Sequence, residues 1–189
     1  MKKLAVVVMV FTLLLSFTAA LMAQEKAAEP VKVVHKYVGA AKCKICHNSP
    51  AKGEQYKKWS DSKHSKAFEV LGTPEALEVG KKAEVEKPQE SDKCLVCHVI
   101  GFSAPAAAKD STFTQTEGVG CEACHGPGSA YKDMKVMKDR AAAIAAGLNI
   151  PDEKTCLGCH NEKSPTYKEF VYADAVKLIA HPYPPKTEK

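Results

Sequence analysis

The sequence predicts a mainly α fold, compact, with short helices and irregular loops between them. Apolar and aromatic residues recur at helical spacing in several short stretches, and Gly or Pro closes those stretches. Lys, Ala and Glu dominate the rest, so few segments are strongly apolar and side chains alone would make a thin core.

The elements follow in chain order. Met1-Lys2-Lys3 precedes an uncharged run from Leu4 to Ala20 and the small residues Ala19, Ala20 and Ala23. This reads as an export signal over residues 1–23, cut after Ala23 or Ala20, or else as an uncleaved membrane anchor, since the apolar run is about 20 residues. Residues 24–36 are polar and carry Pro30, and read as a flexible lead-in. The folded domain is expected over 37–183, with a tail at 184–189.

A helix is expected from Glu54 to Leu71, where Tyr56, Trp59, Ala67, Phe68 and Leu71 keep mostly helical spacing and Gly72 follows as a stop. Thr73 can cap a second helix with Pro74 at its first position, running to about Glu86 before Pro88. Residues 101–120, rich in Ala, Ser, Thr and Gly, read as a loop or short hairpin. Further helices are expected from Tyr131 to Ala146, closed by Gly147 and Pro151, and from Tyr167 to Ala180, closed by His181-Pro182.

Charge excludes one class of partner. The formal net charge is +5, of which Lys2 and Lys3 contribute two, and Lys alternates with Glu and Asp through most of the chain. No concentrated basic stripe with interleaved aromatics is present, so nucleic acid is not an expected partner.

Four segments share one pattern: Cys43-Lys44-Ile45-Cys46-His47, Cys94-Leu95-Val96-Cys97-His98, Cys121-Glu122-Ala123-Cys124-His125 and Cys156-Leu157-Gly158-Cys159-His160. They use all 8 cysteines. Each is the C-x-x-C-H pattern of covalent haem c attachment: two thiols three positions apart can each add to one haem vinyl group, and the next residue lands beneath the iron. His47, His98, His125 and His160 are the expected proximal ligands. A structural zinc site gives no reason for a His after every second Cys. Disulfide staples rarely use such close pairs, and a thioredoxin-like redox pair needs a βαβ setting that this sequence lacks.

Four haem c groups, with their iron, also account for the missing core. Removing the signal leaves roughly 166 residues, or about 40 per haem, so closely packed macrocycles would supply the buried apolar mass. Their propionates would bring the mature protein from near +3 to about −5.

The sixth ligands are fewer than the irons. Outside the motifs and the signal the chain keeps only His35, His64 and His181, plus Met134 and Met137. Three histidines for four irons mean that at least one haem is His/Met ligated or five-coordinate. His64 and His181, each mounted on or beside a helix, are the expected distal ligands. His35, Met134 and Met137 are further candidates, and the spacing of the two methionines also suits simple core packing.

The order of motifs resembles the tetrahaem cytochrome c-554 family. The stretches that carry the resemblance are Tyr37 to His47, Trp59-Ser-Asp-Ser-Lys-His64-Ser-Lys-Ala67, Cys94 to Phe102, and Gly118-Val-Gly-Cys121-Glu-Ala-Cys124-His125-Gly-Pro-Gly128. The resemblance implies a mainly helical fold with haems in close, partly stacked pairs. It implies that His64 is the distal ligand of the third haem and His181 of the fourth, and that the haem at His98 is five-coordinate. The family's distal His for the first haem falls shortly after the Gly-Pro-Gly, where this chain has only Met134 and Met137. His47 is therefore left with Met134, Met137, His35 or no partner.

The function expected from all this is electron transfer between redox partner proteins in the periplasm or otherwise outside the cytoplasm, with membrane association if the signal is retained. Two rivals stand beside it: reduction or binding of nitric oxide or a similar small molecule at an open haem, most plausibly that of His98, and membership of a larger haem complex or filament. Val99, Ile100, Gly101 and Phe102 follow His98, so nothing nearby would protonate a bound oxyanion.

Overall fold

The computed structural model describes residues 34–184. The expected signal or anchor, nearly all of the lead-in and all but the first residue of the tail lie outside the described residues.

Ten short helices run through these residues: α1 (Ala40–His47), α2 (Gln55–Ser60), α3 (Ala67–Val70), α4 (Pro74–Lys82), α5 (Asp92–His98), α6 (Cys121–His125), α7 (Met134–Met137), α8 (Arg140–Ala145), α9 (Glu153–Leu157) and α10 (Tyr172–Ile179). Five 3-10 turns join them, and among the described residues the only β pairing is an isolated bridge between Tyr37 and Lys109. The mainly α class is as expected. No helix among the described residues is long and apolar enough to cross a membrane.

The thiol motifs themselves form helical turns. α1, α5 and α6 each end on the motif histidine, and after α9 the turn continues through His160, whose N–H donates to Cys156 O at 2.9 Å. Helical geometry sets residues three apart on one face, so both thiols of each motif share a side.

α4 starts as the sequence dictates. Thr73 Oγ1 accepts from Ala76 N at 3.2 Å and Pro74 supplies a first position that needs no N–H partner. It ends at Lys82, short of Glu86, because Glu84 adopts a left-handed backbone (φ 57°) and Val85 N turns back to Gly80 O at 2.8 Å.

Two expected helices are broken. The stretch from Glu54 to Leu71 is interrupted at Asp61–Lys63 because serine hydroxyls take over main-chain carbonyls there: Ser62 Oγ donates to Trp59 O at 2.7 Å and Ser65 Oγ to Ser60 O at 2.8 Å. The stretch from Tyr131 to Ala146 divides into α7 and α8 because Asp139 caps the second, accepting from Ala141 N at 2.9 Å and Ala142 N at 3.0 Å. The last helix spans only Tyr172–Ile179 rather than starting at Tyr167.

Residues 101–120 form no hairpin. They hold two 3-10 turns, Ala106–Ala108 and Gln115–Glu117, and their middle pairs with the start of the domain instead: Tyr37 N donates to Ala108 O and Asp110 N to Tyr37 O, both at 2.9 Å.

The polypeptide core is small. Leu71, Leu95 and Val99 form one buried cluster, backed by Phe68, Cys94 and Phe102, directly around the second motif. Trp59 is buried beside the third motif and its indole donates to Val119 O at 2.8 Å, while Val119 N donates to His64 O at 3.0 Å. This double clasp seats the His64 turn against the segment leading into α6. Gly118 makes it possible: its φ is +66°, and a Cβ there would lie 2.8 Å from His64 O.

Replacing Gly118 with Ala should therefore lower stability by about 1–3 kcal/mol through backbone strain alone, with the clash against His64 O added. Denaturant unfolding of the purified protein measures it, and an unchanged midpoint would contradict this account of the clasp.

Candidate functional site

All eight cysteines are unbridged. Among the described residues, no three His, Cys, Asp or Glu side chains converge so as to hold a bare metal ion. The thiols are thus arranged neither as staples nor as a zinc centre. They are, however, close to one another across motifs. Cys43 of the first motif and Cys121 of the third are neighbours, and this with burial pushes the Cys121 thiol up. Burial, with Cys156 of the fourth motif nearby, raises Cys124 of the third. Partial burial and the adjacent Cys97 push Cys159 up to about 11. Neighbouring thiols therefore run from the first motif to the third, then the fourth, then the second.

The histidines are held in a common manner. His98 Nδ1 donates to Ala67 O at 2.6 Å, His125 Nδ1 to Asn149 O at 3.1 Å and His181 Nδ1 to Ile179 O at 2.8 Å. A carbonyl can only accept, so each Nδ1 carries a proton, and it is Nε2 of the neutral ring that offers the lone pair a metal ligand needs. His47 lies next to the Gln55 amide. The Gln55 Nε2 donates to Lys52 O, and its Oε1 is buried with no partner among the described residues, an acceptor available to the His47 ring.

Two pairs of imidazoles face each other across gaps. The rings of His64 and His160 have centroids 6.0 Å apart at 63°, and those of His125 and His181 are 6.1 Å apart at 67°. A metal-bound imidazole nitrogen lies about 2.0–2.1 Å from its metal, so with roughly 1.1 Å from nitrogen to ring centre two rings sharing one metal stand about 6.2 Å apart. The two centroid distances are of that length, with the rings set edge to face. Burial, with His160 nearby, holds His64 below the usual imidazole range, and burial does the same for His125, with His181 and His47 adding to it. Both are then neutral at neutral pH, as ligation demands.

Each pair is positioned by the surrounding chain. The His64 turn is knitted by Ser62 and Ser65 and clasped by Trp59 and Val119. His125 is fixed by Asn149, whose Nδ2 donates to Cys124 O at 2.7 Å and whose N donates to His125 O at 2.9 Å. His181 follows α10, and Pro182 packs on the turn after α1: a Cβ on Gly53 would lie 2.7 Å from Pro182 O. Phe170 stacks on His160 with centroids 4.7 Å apart.

Counted in motif order, the pairing is the reverse of the one the resemblance implies, since His64 faces the fourth motif and His181 the third. Among the described residues neither His47 nor His98 has an imidazole ring set opposite it as in those two pairs. The three further candidates are placed as follows. His35 rests against Gly147, where a Cβ would meet its Nδ1 at 3.0 Å; Met134 is 61% exposed; Met137 is half-buried on α7. Sequence reasoning missed Gln55, Asn149, Phe170 and the buried Glu122. Only Glu122 carried a signal, as an acidic residue between the two cysteines of its motif.

The surface around the motifs also suits a large apolar group. Ile45 and Val96 lie between the cysteines of their motifs, as does Leu157, and all three are exposed, Ile45 at 79%. Thiol pairs sharing one side of a helical turn and imidazoles with available Nε2 atoms together fit haem c.

Comparison with known proteins agrees. Residues 42–126 match the family model described as Cytochrome c554 and c-prime. Cytochrome c-554 of Nitrosomonas europaea is 31% identical over 139 residues, covering 66% of this chain and 57% of that protein. The chain thus spans a little over half the length of this relative. No solved structure matches. The four thiol–imidazole turns and these two matches make the chain similar to the cytochrome c-554 family, in which haem c is covalently bound.

Proposed function

We propose that this chain is an electron carrier that holds four haem c groups and passes electrons between redox partner proteins outside the cytoplasm. Its haem-bearing domain is residues 37–183, behind an export signal over 1–23 and a lead-in over 24–36. Haem c, when bound, supplies a one-electron ferric/ferrous couple. Cys43 with Cys46, Cys94 with Cys97, Cys121 with Cys124 and Cys156 with Cys159 tether it; His47, His98, His125 and His160 ligate from the proximal side.

The observation that carries the reading is the pair of imidazole gaps, His64 to His160 and His125 to His181. Two imidazoles on one iron leave no position for a substrate, so such a site can change only its oxidation state. Rigid mounts for all four rings keep ligation the same in both states, which favours fast electron exchange. The thiol neighbourhoods support a continuous row of sites in the order first, third, fourth, second motif.

A second reading concerns His98 alone. Its Nδ1 is held by Ala67 O, no ring faces it among the described residues, and Leu71, Leu95, Val99, Phe68 and Phe102 surround its helix. An open position in an apolar setting would take a neutral diatomic gas such as nitric oxide. Electron paramagnetic resonance of the oxidised protein with and without that gas separates the readings. A high-spin signal that the gas abolishes favours binding at His98, whereas four low-spin signals remove it.

Three outcomes are expected. The mature protein should weigh its polypeptide plus four haem c groups, measured by intact mass; a colourless protein of bare polypeptide mass sinks the proposal. His64→Ala and His181→Ala should each turn one low-spin haem high-spin while all four stay attached, read by visible and resonance spectra. On acidification the low-spin signature should persist until well below the ordinary imidazole value of about 6.5, because both burial and iron favour neutral rings. Loss of low-spin signal already at that value would show that His64 and His125 are not ligands.

A further inference from the structure

Glu122 is 3% exposed, the one charged residue so deeply buried among the described residues. Its carboxylate accepts from Val38 N through both oxygens at 2.9 and 3.0 Å, from Gly39 N at 2.8 Å and from Gly128 N at 2.6 Å. Val38 and Gly39 lead directly into α1, the helix of the first motif, while Glu122 itself sits between the thiols of the third. One side chain therefore caps the first motif's helix from inside the third motif. Glu117 extends the same device, accepting from Ala40 N at 2.7 Å.

Such an arrangement does more than join two segments. Val38 and Gly128 close over the carboxylate and keep water from screening it, and every partner it has among the described residues is a backbone N–H. Adding one electron, supplied by a partner protein, lowers the positive charge of a ferric iron by one, and a fixed anion nearby opposes that addition. The effect is local. Glu122 stands between the thiols of the third motif and its carboxylate is bonded to the backbone leading into the first, whereas among the described residues it has no hydrogen bond to the second or fourth.

We propose that Glu122 is a positioning and tuning residue which fixes the first motif against the third and holds the reduction potentials of those two haems below what they would otherwise be, leaving the second and fourth unaffected. Glu117 contributes the same way, to a smaller extent. The inference rests on the haem reading above and deepens it, by dividing the four sites into a low-potential pair and a pair set by other means.

The test uses the holoprotein carrying Glu122→Gln, Glu122→Asp or Glu117→Gln, titrated spectroelectrochemically at about pH 8, where free carboxyl groups are ionised. Gln removes the charge and turns an N–H group toward N–H donors; Asp keeps the charge but shortens the reach. Both should lower the unfolding midpoint. Only Gln should move midpoint potentials, raising two of the four and leaving two in place, with Asp close to the unaltered protein. If Gln and Asp shift the potentials alike, or if all four or none move, the tuning role is overturned and Glu122 is structural only. Should neither Glu122 variant mature, Glu117→Gln must still raise the same two midpoints by a smaller amount, and unchanged midpoints overturn the proposal. Intact mass of each variant keeps the outcomes apart: missing haem counts against the haem reading, while four attached haems with unmoved potentials count against this inference alone.

Discussion

Two contacts between imidazole rings from distant parts of the chain are the feature on which the candidate site depends. His64 and His160 are 96 positions apart and His125 and His181 are 56 apart, yet the ring centroids lie 6.0 and 6.1 Å apart. The rest of the architecture is arranged to hold those rings still. Carbonyls take the Nδ1 protons, serine hydroxyls bend the His64 turn, and Pro182 seats the last histidine on the Gly53 turn. Ordinary apolar packing plays a lesser part, with one cluster of three buried side chains around the second motif and single buried residues elsewhere. A polypeptide with so little core of its own needs a large apolar partner to be stable.

A second layer joins the motifs to each other through polar contacts rather than through grease. Glu122 and Glu117 satisfy the backbone donors at the start of α1, which have no partner within their own helix. Trp59 and Val119 do the comparable job between the His64 turn and the third motif. The first and third turns are thereby fixed against each other, and the His64 turn against the third.

Much of this was legible in the residues. The mainly α class, the cap at Thr73 and the helix behind Pro74 follow from local preferences, and the thiol motifs were unmistakable from spacing. What failed to be legible has physical causes. Serines and an aspartate that look tolerable in a helical pattern compete for backbone groups once the chain can turn, and so Glu54 to Leu71 and Tyr131 to Ala146 are split. Residues 101–120 pair with Tyr37, a partner far away in sequence that no local pattern announces. The choice between His160 and His125 as the ring opposite His64 is likewise a tertiary fact. Gln55 and Asn149 act through single hydrogen bonds to a ring or its backbone, and a lone amide in a sequence carries no sign of such a task.

The contact between Cys43 and Cys121 bears on how the protein must be made. Thiols that close would readily oxidise to a cross-link in an oxidising compartment, joining the first motif to the third and removing one sulfur from each. Cys97 and Cys159 present the same hazard. A cofactor bound through these sulfurs would therefore have to be attached before the chain collapses fully, with maturation setting the sequence of events.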